Sequence, residues 1–317
     1  MFKIQEDSFG NLTQLEINNV LSGEYVTIIH DYGTNTNELV LQANKKNIPL
    51  LRGTNDSKDM SKKQWFKGAK LAPFPNRIKD GKYSFNGKDY VLPRNESNKK
   101  NSLHGFMFNK PFDLISHSES STEGNVEFEY THNGKHDGYP FPFRMNIIYA
   151  LSEDGFECVT TIKNIGLEPM PVGDGWHPYF KTGTLVDRLQ LILPDCEELE
   201  VDENLIPTGK RKPYTRFTEL ETIGKTEFDT PFAIKVNARE DTAYVQLYDA
   251  DRNFQITLWQ EIGKEKYNYF QLYIPEDRQS IAIEPMTCAP DAFNNGMGLI
   301  TLKPGESFTG TYGVTVK

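Results

Sequence analysis

The chain has 317 residues, a formal net charge of -9, 37% apolar and 12% aromatic residues. This composition excludes a disordered protein and argues against nucleic acid or an anionic membrane surface as partner. Its length suits one large all-β domain over residues 1–317 or two average ones, and no apolar run is long enough for a membrane-spanning helix.

The N-terminal stretch Met1–Asp7 lacks the apolar core of a signal peptide. Without such a signal, the glycosylation-type triplets at Asn11 and Asn95 carry little meaning. Alternating, β-branched runs then recur along the chain: 15–18, 25–30, 38–42, 126–130, 144–149, 157–162, 189–193, 243–248, 254–259 and 269–273. Period-two patterning of this kind marks half-buried strands. Turn signals separate them, among them Asn133-Gly134, Asp154-Gly155 and Pro304-Gly305. The polar stretch Lys58–Trp65 reads as one short helix or a loop, and no sustained helical period appears elsewhere. Many strands without crossover helices predict a large antiparallel β-sandwich.

Cys158, Cys196 and Cys288 form neither an even disulfide framework nor a metal-type spacing, so reduced thiols and a cytoplasmic location are expected. His30, His117, His132 and His136 likewise lack metal-ligand spacing. Gly81-Lys82 and Gly87-Lys88 belong to no phosphate-binding loop, and Lys62-Lys63 and Lys99-Lys100 read as solvated charge pairs. No cofactor or metal is expected.

Four blocks stand out. They are Leu71-Ala-Pro-Phe-Pro-Asn-Arg-Ile-Lys-Asp-Gly81, Asn101-Ser-Leu-His-Gly105, Gly173-Asp-Gly-Trp-His-Pro-Tyr-Phe180, and Ile281-Ala-Ile-Glu-Pro285 with Leu302-Lys-Pro-Gly-Glu-Ser307. Taken in order they resemble the aldose 1-epimerase (galactose mutarotase-like) family, whose members are large antiparallel β-sandwiches of about this size. Val26–Gly33 looks like the family's opening strand with its strand-end glycine, and Leu302–Ser307 like its last turn and strand. The resemblance implies interconversion of sugar anomers by ring opening and re-closure, a reaction that needs one acid and one base but no cofactor.

By that resemblance Glu284 is the base, His177 the acid, and His104 a second active-site histidine at the ring oxygen. Arg77 and Asp229 (the latter in Glu227-Phe-Asp-Thr-Pro-Phe232) are implied to bind sugar hydroxyls. Asn76 holds the Arg77 loop or touches substrate, and Trp176 is a candidate for stacking on a pyranose face. Pro285 is expected to end its strand, because it has no N–H to donate. The chain departs from the commoner family form by Gly-Trp before His177, by Pro178 after it, and by Phe106 in place of a second glycine after His104. That phenylalanine is expected to narrow the pocket. Acid and base should stand roughly 4–8 Å apart with open space between them, each about 3 Å from its own substrate atom.

A hexose-6-phosphate 1-epimerase remains an alternative, as does a non-catalytic carbohydrate-binding sandwich. A polysaccharide-processing accessory domain would predict an appended module or a secretion signal. The expected partner is a small sugar, with the protein a monomer or homodimer.

Overall fold

A computed structural model describes residues 1–60, 65–96 and 98–317. Lys62, Lys63 and Ser97, and with them part of the 58–65 stretch, lie outside the described residues; of that stretch a helix over Ser57–Met60 is seen.

Three antiparallel sheets carry the fold. The N-terminal five strands, Phe2–Phe9 through Lys46–Pro49, pair in sequence order. A nine-stranded sheet begins with the meander Asp113–Glu119, Glu123–His132, Phe143–Ser152, Gly155–Asn164. It continues through the C-terminal strand Ser307–Val316 to Phe254–Glu261 and Thr242–Asp249. The third, six-stranded sheet places Tyr179–Phe180, Ile281–Met286, Tyr269–Tyr273 and Asp229–Ile234 side by side. The sandwich predicted from alternation is therefore the one formed.

Alternation explains the packing. Along Phe143–Ser152 every second residue (Phe143, Met145, Ile147, Tyr149, Leu151) is wholly buried, which puts one face of the sheet in the core. A single apolar cluster reaches from Phe2 to Val314 and takes in all three sheets.

Two expectations fail here. Val26–Gly33 is not the first strand, since Phe2–Phe9 and Leu12–Asn19 precede it and pair with each other. Pro285 does not end its strand either: it pairs with Phe270 inside Ile281–Met286. Only its N–H is missing, and its carbonyl still accepts from the Trp176 N–H at 3.2 Å. Among the described residues no helix is long and apolar enough to cross a membrane, and all three cysteines are buried and unpaired.

Candidate active site

His177 is held by a narrow ladder of three segments. Residues 68–71 run along one side of 173–177: the His177 N–H donates to Ala69 O at 3.1 Å, Leu71 N–H to Gly175 O at 2.9 Å, and Gly68 N–H to His177 O at 2.9 Å. On the other side lies Ile281–Met286 and its extension, through Trp176 to Pro285 and Thr287 N–H to Asp174 O at 2.9 Å. The approach is close enough that a Cβ on Gly175 would sit 2.9 Å from the Pro285 oxygen, which accounts for one glycine of the Gly-Asp-Gly run. His177 thus projects from a bridged segment beside the strand that carries Glu284, and its Nε2 lies 3.4 Å from Glu284 Oε1.

His104 arrives from a different device. Short strands Arg77–Ile78 and Ser102–Leu103 pair, and beyond them Asn76 and His104 both take left-handed backbone (φ +59° and +62°). Such conformations cost non-glycine residues of order 1–3 kcal/mol each and cluster at functional sites. The two residues hold each other: His104 N–H donates to Asn76 O at 2.8 Å, and Asn76 N–H donates to His104 Nδ1 at 3.2 Å. Gly105 follows, also left-handed, with Ala72 O only 2.1 Å from any Cβ it could carry.

These segments enclose a cavity of about 270 Å³ lined by Asn76, Arg77, His104, His177, Asp229, Gln271 and Glu284, with Trp65, Phe66, Leu103, Tyr179 and Tyr273 as its apolar walls. That volume is just under the range of roughly 300–1,000 Å³ for drug-sized ligands, so it suits one monosaccharide. His177 stacks on Tyr179 (centroids 4.9 Å apart) and meets His104 edge-on at 5.2 Å. Arg77 is both wall and ion pair. Its Nε and Nη2 donate to Glu96 at 2.8–3.2 Å and its Nη1 to Asn76 Oδ1 at 3.2 Å, which fixes the guanidinium at the cavity edge.

Burial governs the proton chemistry. It pushes the Glu284 carboxyl well above its ordinary range, with the Asp229 charge adding and Arg77 opposing. It pulls His177 down to about 3, with Arg77 pulling the same way. His104 is driven well below its usual value by burial, then by His177 and Arg77. A neutral imidazole that accepts at Nδ1 must carry its proton on Nε2, so His104 presents an N–H donor. Glu284 Oε2 is buried with no partner among the described residues. Asp229 sits at the mouth, its Oδ1 accepting from Gln271 Nε2 at 2.8 Å. Its carboxyl is raised by burial and held back by Arg77 and Lys99, but its exposed position lets solvent damp the effect.

One donor atom from each of His104, His177 and Glu284 lies within 4.8 Å of the others, a set that transition metals accept. The Asn76 amide opposes that use. Binding through Nδ1 of His104 would displace its hydrogen bond, and binding through Nε2 would set an Nδ1 proton against the amide N–H. Metal-bound histidines instead donate their second N–H to an acceptor.

Several residue expectations need correction. Trp176 does not reach the cavity: it is wholly buried, its indole N–H donates to Thr36 Oγ1 at 2.7 Å, and its ring stacks on Tyr312 at 5.2 Å. Alternation along 173–177 turns Trp176 inward because His177 turns outward. Phe106 does not narrow the pocket, since its ring lies on His136 (centroids 3.8 Å) beside a separate cavity. Glu284 and His177 touch at 3.4 Å, with the open volume beside the pair rather than between them; two neutral groups can approach without the penalty of a buried ion pair. Gln271 is a site residue that sequence reasoning missed. It stands opposite Glu284 in the ladder and accepts from Asn76 Nδ2 at 3.3 Å while donating to Asp229. Its signal was a lone amide on the same strand face as Tyr269 and Tyr273.

The aldose 1-epimerase family model matches residues 17–315, and the chain belongs to that family. It is 28% identical over 270 residues to the uncharacterized protein YihR of Escherichia coli, covering 78% of this chain and 79% of that one. Galactose mutarotase of Bos taurus is 30% identical over 202 residues, which span 59% of this chain and 57% of the bovine protein. A galactose mutarotase-like protein from Clostridium acetobutylicum shares the fold with a TM-score of 0.87 over all of this chain and 98% of its own, at 22% identity. The aldose epimerase homologue of C. elegans does so at 0.82, covering 100% and 99%, with 18% identity. The architecture is thus the galactose mutarotase-like β-sandwich.

Proposed function

We propose that the protein interconverts the α- and β-anomers of a free aldose, with Glu284 taking the C1 hydroxyl proton while His177 protonates the ring oxygen. The observation that carries this is one buried wall on which Glu284, His177 and His104 converge, with Glu284 Oε2 left without a partner among the described residues beside a monosaccharide-sized cavity. A binding module has no use for an acid and a base held 3.4 Å apart.

The proton count balances. Ring opening starts from carboxylate and imidazolium, which the neutral resting pair reaches by passing the Glu284 proton to His177 across their 3.4 Å contact, and ends with a neutral carboxyl, a neutral imidazole and the open-chain aldehyde. Burial favours that neutral pair, so opening relieves two buried charges as the C1–O5 bond breaks. After rotation about C1–C2, Glu284 returns its proton to the C1 oxygen and His177 recovers its own from the C5 hydroxyl. His104 Nε2–H donates towards the same oxygen. Arg77, Asp229 and Gln271 supply donors and acceptors for the remaining hydroxyls. Among the described residues lining the cavity Arg77 is the one permanent cation, and Glu96 already engages it, which favours an unphosphorylated sugar.

Polarimetry on freshly dissolved α-glucose, α-galactose and other aldoses, with their 6-phosphates alongside, tests this. Faster equilibration of a free aldose, unaffected by chelator, is expected. No acceleration with any of them rejects the proposal, and a preference for the phosphates overturns its substrate class.

A further inference from the structure

Behind the ladder that presents His177 lies an ion pair with no part in the chemistry above. Lys70 and Asp174 are both wholly buried and meet at 2.7 Å. The Lys70 ammonium also donates to Thr160 Oγ1 at 2.8 Å and to Tyr312 Oη at 3.4 Å, so its three donor directions are taken. Tyr267 Oη donates a second bond to Asp174 Oδ2 at 2.7 Å. Thr160 and Tyr312 stand on Gly155–Asn164 and Ser307–Val316, neighbouring strands of the nine-stranded sheet. The pair therefore ties the ladder to the large sheet behind it.

Its place in the ladder matters more than its strength. Lys70 bridges Trp176, the residue before His177. Asp174 exchanges two bonds with Thr287, its N–H donating to Oγ1 and its carbonyl accepting the Thr287 N–H, both at 2.9 Å. One end of the pair is thus in the segment on the near side of His177. The other end is the side chain of the residue whose main chain joins the His177 segment to the extension of the Glu284 strand. Taking two charges out of water is costly, and an apolar pair of similar volume is often as stable or more so. Stability alone does not account for this one.

We propose that Lys70 and Asp174 are positioning residues that set the offset between the His177 and Glu284 segments, and so the reach of His177 to Glu284 and to the sugar. This rests on the mutarotase reading. The double variant Lys70→Met/Asp174→Leu removes both charges together, but takes a partner from the buried Tyr267, Thr160 and Tyr312 hydroxyls. Its thermal midpoint should therefore fall, while in the folded variant kcat falls about tenfold or more with KM within about twofold, as a small misplacement of a catalytic group does. The ring ¹⁵N signals of His177 should shift as well. Unchanged kcat, a loss confined to KM, or unmoved His177 signals overturns the proposal. If the double variant does not fold, Tyr267→Phe takes one bond from Asp174. There a fall in kcat of about two- to tenfold with shifted His177 signals is expected, and the absence of either overturns it. A wild type that turns over no aldose defeats the mutarotase reading instead, and the His177 signals then decide the positioning claim alone.

Discussion

Two buried acid–base contacts lie back to back on one ladder and differ in how they are satisfied. On the interior side, Lys70 directs its donors to three oxygens and Asp174 Oδ2 accepts from two groups, while Asp174 Oδ1 has no partner among the described residues. On the cavity side, His177 and Glu284 touch at 3.4 Å, Glu284 Oε2 and His177 Nδ1 have no partner among the described residues, and burial drives both groups towards their neutral forms. Both pairs are buried and each carboxyl leaves one oxygen unmet, so the difference lies in the rest of the supply: three placed donors and a doubly engaged oxygen against a single 3.4 Å contact. A buried charge persists when surrounding dipoles replace water; where they do not, the group neutralises and stays available for proton transfer.

Removing the unsatisfied pair's chemistry should have the largest effect. Glu284→Gln and His177→Asn keep size and hydrogen-bonding capacity but delete proton transfer, so each should lower kcat by about 10²-fold or more. The check is polarimetric turnover on protein with unchanged circular dichroism. A folded variant with near-normal turnover would return that residue to a structural role.

A smaller effect belongs to the cavity edge. Arg77→Ala and Asp229→Ala each remove a group proposed for the sugar hydroxyls, along with their contacts to Glu96 and Gln271. Leaving a sugar hydroxyl without its partner in the cavity costs roughly 1–3 kcal/mol. KM should therefore rise about tenfold or more, with kcat less affected. Initial rates over a range of sugar concentrations separate the two constants, and an unmoved KM for Asp229→Ala would remove that residue from the binding set.

The gentlest test is the pH dependence of stability. His104 and His177 are lowered in the folded protein, so each contributes stability that is complete above about pH 6.5 and is lost as pH falls towards the folded value, about 3 for His177. The unfolded chain binds more protons in that window, at about 1.4 kcal/mol per pH unit for each histidine. Glu284 acts oppositely: its folded value is raised, so its contribution is complete below about pH 4.5 and declines as pH rises through the folded value. Urea unfolding of wild type and His177→Asn between pH 7 and 4 should show a shallower acid loss in the variant. Parallel curves would mean that His177 titrates normally.

Much of the fold is legible in the amino-acid order alone. Alternation locates the strand Tyr269–Tyr273 and the cores of nine others, because a half-buried strand writes its two faces into neighbouring residues. It passes over Asp113–Glu119 and Pro207–Tyr214, whose residues are almost all exposed; what makes them strands is the neighbour each pairs with. The blocks around Arg77, His104, His177 and Glu284 can be read because each has its own local constraint: a left-handed turn, a glycine at a close approach, a carboxylate in an apolar strand.

The sandwich class, the family resemblance and the residue types able to move a proton are written in the amino-acid order. Long-range packing selects which side chains face the cavity. It turned Trp176 inward beside Tyr312, sent Phe106 to His136, and placed Gln271 between Asn76 and Asp229. It also brought Lys70 to Asp174 across 104 positions. The reason is physical: periodicity and turn chemistry act between near neighbours in the chain, whereas burial, hydrogen-bond supply and the pKa shifts they cause depend on segments far apart in sequence.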